Sequence, residues 1–183
     1  MHPVKKAIFL AALLAPAQAE AVVLRVDSTA GLMQQPTSHY YHVIYGGQVS
    51  LATASEHVVW NTSYFQRPTF KNLGYADKDY GWFTTIGTKL TKSKDSGVFA
   101  AIGGGSVGGW VKTDKNASGI AKSETRSFRL IGPTVTLDYE YRLGPVQWSV
   151  GHQTFVGFVD RSEVMAYVAW PYNFFTTTMG VTW

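Results

Sequence analysis

Apolar and polar residues alternate with a period of two through most of this chain, and clusters of Gly, Pro, Asn, Asp and Ser interrupt the alternation. No segment carries a sustained helical stripe with caps. Successive side chains of a strand point to opposite faces, so the pattern predicts strands with one apolar and one polar or small face. Eight are predicted, at 22–32, 40–52, 57–65, 79–91, 98–111, 126–142 and 146–159, with a last one ending at Trp183.

The predicted connections alternate in character. Those at 54–56, 92–97 and 143–145 are short, whereas 66–78 and 112–125 are longer and polar. Bacterial outer-membrane barrels show this asymmetry, with short periplasmic turns and longer extracellular loops. One residue of register flips every side chain, so the faces follow from parity. Val146, Trp148, Val150, Val156 and Phe158 share the lipid-facing parity, while Gln147, Ser149, Gly151, Gln153 and Gly157 point inward. Likewise Tyr80, Trp82, Ile86 and Leu90 alternate with Gly81, Thr85, Gly87 and Lys89, and Val58, Trp60 and Tyr64 with His57, Asn61 and Ser63. Pro133 donates no ladder hydrogen bond and predicts a bulge beside Gly132. At the carboxyl end Phe175, Met179, Val181 and Trp183 alternate with Thr176, Thr178, Gly180 and Thr182. This ending resembles the C-terminal strand by which outer-membrane barrels are recognised for insertion. The expected fold is all-β: a single antiparallel up-and-down transmembrane barrel of about eight strands, in the bacterial outer membrane.

The first residues complete that picture. Lys5 and Lys6 precede an apolar run from Ala7 to Pro16 and an Ala17-Gln18-Ala19 site, the layout of a secretory leader. The expected organisation is a signal peptide at 1–19 and one barrel domain at 20–183. The apolar run is too short to span a bilayer as a helix, which takes about 20 residues.

Loss of Lys5 and Lys6 with the leader reduces 16 basic residues to 14 against 12 acidic ones, a net charge of +2 that argues against nucleic acid as a partner. Cysteine is absent, which excludes disulfides, thiolate metal sites and a Cys nucleophile. Ten Tyr, ten Phe, six Trp and 18 Gly coexist with a mean hydropathy of −0.04. Alternation reconciles them, because a transmembrane barrel averages an apolar exterior with a polar or small interior.

The predicted inward set includes Arg25, Asp27, Lys89, Asp138, Glu140 and Arg142, with Gln48, Asn61, Gln147 and Gln153 around them. An eight-stranded barrel is only wide enough for its own side chains, and buried charges there must pair and hydrogen-bond. A plugged lumen with an ion-paired network is expected rather than a diffusion pore.

Among motifs, Gly103-Gly104-Gly105-Ser106-Val107-Gly108 contains a formal G-x-G-x-x-G, but it sits inside a strand and opens no helix, so no nucleotide site is expected. Its glycines are read as room for a neighbouring backbone or a large lumen side chain, or as permitting sharp barrel curvature. Asn61-Thr62-Ser63 and Asn116-Ala117-Ser118 match glycosylation acceptors but carry no meaning in a bacterial protein. His39 and His42, three apart on a strand, face opposite ways and do not share a metal. No cofactor and no metal are expected. The segment 164–175 is too apolar for a solvated loop, and is either the upper part of a long last strand kinked at Pro171 or a surface stretch leaning into the outer leaflet. Its aromatics Tyr167, Trp170, Tyr172 and Phe174 suit the membrane interface.

His152 interrupts the lipid-facing parity of the seventh predicted strand, with Thr154 as its same-face neighbour and Glu163 just beyond. This layout resembles the lipid A 3-O-deacylase family, eight-stranded outer-membrane enzymes with a His-x-Ser-Asn motif on a late strand and a Glu after the next turn. The resemblance implies His152 as base, Thr154 where the nucleophilic Ser belongs, Phe155 in place of the Asn, and Glu163 as the orienting acid. Threonine is a poorer nucleophile and phenylalanine supplies no polar contact. Otherwise His152 is an interface residue bonded to a neighbouring strand, or its parity is misread. Two readings therefore stand, both with outer-membrane lipids and lipopolysaccharide as partners of a monomer. One is a small barrel, of the kind related to OmpA and OmpX, that stiffens the envelope or presents loops; the other is a lipid A acyl hydrolase.

Overall fold

A computed structural model describes residues 22–35, 41–53, 55, 57–72, 75–91, 93, 95–113, 124–162 and 170–182. The proposed leader, His39, Glu163, Tyr167 and Trp183 lie outside them. Nine strands are present among the described residues: β1 Val22–Gln34, β2 Tyr41–Thr53, β3 Val59–Gln66, β4 Phe70–Asn72, β5 Tyr75–Lys89, β6 Ser96–Thr113, β7 Glu124–Leu143, β8 Val146–Ser162 and β9 Trp170–Thr182. All ladders are antiparallel, in the order β3-β2-β1-β9-β8-β7-β6-β5-β4. The further β3–β5 ladder, from Val59↔Gly87 to Gln66↔Tyr80, joins the two sides. With the three-residue β4 set aside, eight strands thus form a closed up-and-down barrel with no free edge, which satisfies backbone groups within a membrane.

The strand positions follow the alternation, but the observed strands run farther at the end that carries the longer connections. β7 starts at Glu124 and β8 reaches Ser162. The stretch read as a loop at 66–78 folds back as β4 paired with the start of β5, Phe70↔Asp77 to Asn72↔Tyr75. Backbone ladders continue above the apolar zone because they need no alternation of side chains there.

Pro133 behaves differently from expectation. It pairs with Gly104 in an unbroken β6–β7 register, and on the β8 side the register resumes unshifted from Ile131↔Phe158 to Thr134↔Phe155. The irregularity lies instead between Arg129 and Leu130, where Arg129↔Arg161 and Leu130↔Val159 leave Asp160 as the extra residue. Proline's missing donor costs the β7–β8 ladder local pairs without inserting a residue. At the other end of β7, Gly144 adopts φ 61° in the tight turn to β8, a left-handed conformation that favours glycine.

Parity sorts the side chains as predicted. Val26, Val49, Leu51, Ile102, Val135, Leu137, Val150 and Met179 form an exposed apolar belt. Trp60, Tyr139, Tyr141 and Trp148 flank it toward the short turns; Tyr41, Tyr45, Tyr64, Tyr80, Trp82 and Phe158 flank it toward the long connections. An apolar band between two aromatic girdles is the exterior of a transmembrane barrel.

Candidate functional site in the lumen and on the outer wall

The short-turn half of the lumen holds the predicted charges. Arg25 on β1 donates from both terminal nitrogens to Glu140 Oε1 on β7, at 3.1 and 3.0 Å, and its Nε lies 3.9 Å from Asp27. Arg142 donates instead to Gln147 Oε1 at 3.2 Å. Asp138 lies along Gly151, its partner on β8, and Lys89 lies along Gly97 on β6. Arg25, Asp27 and Glu140 thus meet directly, and Lys89, Asp138 and Arg142 lie elsewhere on the inner wall. Ser149 and Thr178 add a 2.6 Å hydroxyl pair on the same inner surface.

The long-connection half has a different character. Met33, Ile44, Phe65, Phe83, Val107, Phe128, Leu130, Phe155, Tyr172 and Phe174 form one buried apolar cluster inside the barrel. Ring centroids are 5.4 Å apart for Phe65–Phe83, 4.6 Å for Phe65–Phe174, 5.3 Å for Phe83–Phe155 and 5.5 Å for Phe83–Phe174. Alternation predicted an interior of polar and small residues throughout, so this cluster went unread. Its signal was present as adjacent apolar pairs, Tyr64-Phe65, Trp82-Phe83, Phe155-Val156 and Phe174-Phe175, in which one side chain faces lipid and its neighbour faces the lumen. Tyr172 and Phe174 are accordingly buried inside rather than placed at the membrane interface as expected, because their parity is even on β9. Gly105 makes the cluster possible: a β-carbon there would overlap both the Phe83 ring and the Trp82 carbonyl. Its neighbour Gly103 admits the Thr84 carbonyl in the same way, which accounts for the glycine run without a nucleotide.

Between the two halves lies a cavity of about 30 Å³, bordered by Gln48, Asn61, Thr85, Thr136, Asp138 and Gln153, with room for one or two water molecules. Above the aromatic cluster, buried Arg67 pairs with Asp77 at 2.7 Å and Asp79 at 3.0 Å, while Gln35 donates to the same Asp79 oxygen. The Arg67 amide also donates to the Asp79 carbonyl at 2.9 Å. Sequence reading placed Arg67 and Asp77 in a polar loop, because the pairing that turns them inward is made only by the closed β3–β5 seam.

On the outer wall, His152 and Thr154 share a face, as predicted. Their meeting point is Asn173 on β9: His152 Nε2 lies 3.3 Å and Thr154 Oγ1 3.1 Å from Asn173 Oδ1. The imidazole also stacks on Phe175 at 4.7 Å. Turning the Asn173 amide over changes which groups donate but not the topology; the amide stands between imidazole and hydroxyl in either case. Phe155 points the opposite way, fully buried in the lumen. Asn173 was not singled out from the sequence because only the β8–β9 register, Thr154↔Asn173, brings it to this site.

No family model matches the chain, and no curated protein matches its sequence. Solved structures do match its fold. A major outer membrane protein from Thermus thermophilus has a TM-score of 0.58 at 11% identity, covering 89% of this chain and 100% of its own. Ail, the attachment invasion locus protein of Yersinia pestis, gives 0.54 at 8%, over 88% and 97%. Neisserial surface protein A gives 0.53 at 12%, over 87% and 96%. With its apolar belt and aromatic girdles, this chain is an outer-membrane β-barrel of the small eight-stranded kind.

Proposed function

We propose that this protein is an integral outer-membrane barrel with a sealed lumen, serving the envelope as a structural or surface-presenting element rather than as a diffusion pore. Its short turns face the periplasm and its longer connections the exterior, and it sits as a monomer among outer-membrane lipids and lipopolysaccharide. The observation that carries this reading is the filling of the barrel: an aromatic cluster in one half, an ion pair spanning the other, and a cavity of about 30 Å³ between them. A barrel of this strand number leaves space for side chains and little else. Planar bilayers containing the folded protein should show no discrete conductance steps. Stable open steps that scale with salt concentration would overturn the sealed lumen.

An acyl-hydrolase role acting on lipid A has one observation in its favour, the common face of His152 and Thr154. Against it, a nucleophilic hydroxyl needs its base within direct reach, and here both groups address Asn173. The mass spectrum of lipid A from cells producing the protein decides between the two. Unaltered lipid A supports the non-enzymatic reading, and loss of an acyl chain that depends on His152 establishes the hydrolase.

A further inference from the structure

We propose that the outward wall of β5, β6 and β7, at the end carrying the long connections, binds the phosphate groups of an anionic lipid in the surrounding leaflet. The inference rests on the membrane placement just given and adds a ligand to it. Among the side chains described, the cations on the lipid-facing parity at this end are Lys71, Lys78, Lys112 and Arg129, on β4 to β7, with Lys71 and Lys112 flanking Ala76 on either side. Their registers bring them together: Lys78 pairs with Trp110, two residues before Lys112, and Arg129 pairs with Gly108, two residues before Trp110. Adjacent strands are about 4.8 Å apart and two residues rise about 6.6 Å, so Lys78 and Arg129 arise about 12 Å from one another, within reach of a shared phosphate for two long side chains.

Aromatic groups frame the patch. The Tyr80 ring lies across Gly108, with its hydroxyl oxygen 3.0 Å from where a β-carbon would stand, and it therefore leans toward Arg129 on the next strand. Gly108 thus leaves room in the wall for the Tyr80 phenol, which stands between the strands that carry Lys78 and Arg129. Arg129 has Asp160 at 3.8 Å, but both side chains are well exposed, and an exposed pair of this length holds the guanidinium weakly. Guanidinium presents several donors that match phosphate oxygens, and lysine adds point charge. The position just beyond the girdle of Tyr80 and Trp82 is the headgroup level, where lipid phosphates lie. On the opposite side of the barrel the corresponding positions are Gln34, Tyr41 and Pro171, none of them charged. The basic surface is one-sided, as a lipid-specific site requires and a general attraction to anionic membranes does not.

The test uses the full chain folded in a neutral detergent, incubated with bis-phosphorylated lipid A, the same lipid A after phosphatase treatment, or inorganic phosphate, and read by native mass spectrometry. Retention of bis-phosphorylated lipid A is expected to exceed that of the dephosphorylated form. It should fall about tenfold in the double variant Lys78→Gln, Arg129→Gln and stay unchanged in Lys89→Gln, a lumen-facing cation at the opposite end of β5. Equal retention of the two lipids, or no loss in the double variant, would overturn the proposal. Displacement by an equal concentration of inorganic phosphate would mark a soluble-anion site and overturn the lipid assignment. Should the double variant not fold, Asp160→Asn is read in its place; removal of the competing carboxylate raises retention if the site is real, and unchanged retention refutes it. Heat-modifiable gel mobility reports folding separately, so a protein that folds and inserts yet retains no lipid fails this inference alone.

Discussion

Arg25 and Glu140 lie 115 residues apart in the chain and join across the lumen, both terminal guanidinium nitrogens on one carboxylate oxygen at 3.0 and 3.1 Å. β1 and β7 are separated in the barrel by β9 and β8, so the pair is a cross-brace rather than a neighbour contact. Removing one partner of a buried ion pair leaves an uncompensated charge, at a cost of about 3–5 kcal/mol. Arg25→Met should therefore lower the midpoint of denaturant unfolding markedly. The double variant Arg25→Met, Glu140→Leu should recover most of that loss. A single variant as stable as the parent would show that the lumen charges are individually hydrated and not paired.

Phe83 touches Phe65, Phe155 and Phe174. Phe83→Ala is expected to destabilise the barrel by about 3–5 kcal/mol through lost contacts and a cavity. The shift of the unfolding midpoint, compared with Phe83→Leu as the milder change, measures it. The same Phe83→Ala protein in planar bilayers also tests how much of the seal this cluster supplies.

Gly105→Val brings a branched side chain against the Phe83 ring and the Trp82 carbonyl. Overpacking of this kind costs about 1–3 kcal/mol and here also separates β5 from β6. Slower folding into vesicles and a reduced folded fraction on heat-modifiable gels are expected. Gly144→Ala, by contrast, meets no steric obstacle but must hold φ 61°, so it should cost about 1–2 kcal/mol through the backbone alone.

His152→Ala should leave the lipid A mass spectrum of producing cells unchanged and lower stability by about 1 kcal/mol or less. The change removes one bond to Asn173 and the stacking on Phe175, and hydrogen bonds within membranes average about 0.6 kcal/mol. A spectrum that loses an acyl-chain mass in the parent and regains it in His152→Ala would contradict the non-enzymatic reading.

Much of this protein was legible in its alternation. Period two set the strand count, the inward and outward faces and the placement of Arg25, Asp27, Glu140, His152 and Thr154, because a closed sheet forces each strand to present one parity to lipid. The charge network was legible as membership but not as pairing, since parity says that Arg142 points inward and cannot say that it meets Gln147. The aromatic cluster was half-legible, as the adjacent apolar pairs at 64–65, 82–83 and 174–175.

What only the tertiary structure decided concerns groups from strands distant in the chain. The β8–β9 register places Asn173 between His152 and Thr154. Closure of β3 on β5 turns Arg67 inward onto Asp77 and Asp79. The shift at Asp160 sets the β8 register beside Arg129. Alternation carries one bit per residue, inside or outside, and so determines the faces of a barrel. Which side chains meet depends on the stagger between strands and on the curvature that carries them across the lumen, and those belong to the closed sheet as a whole.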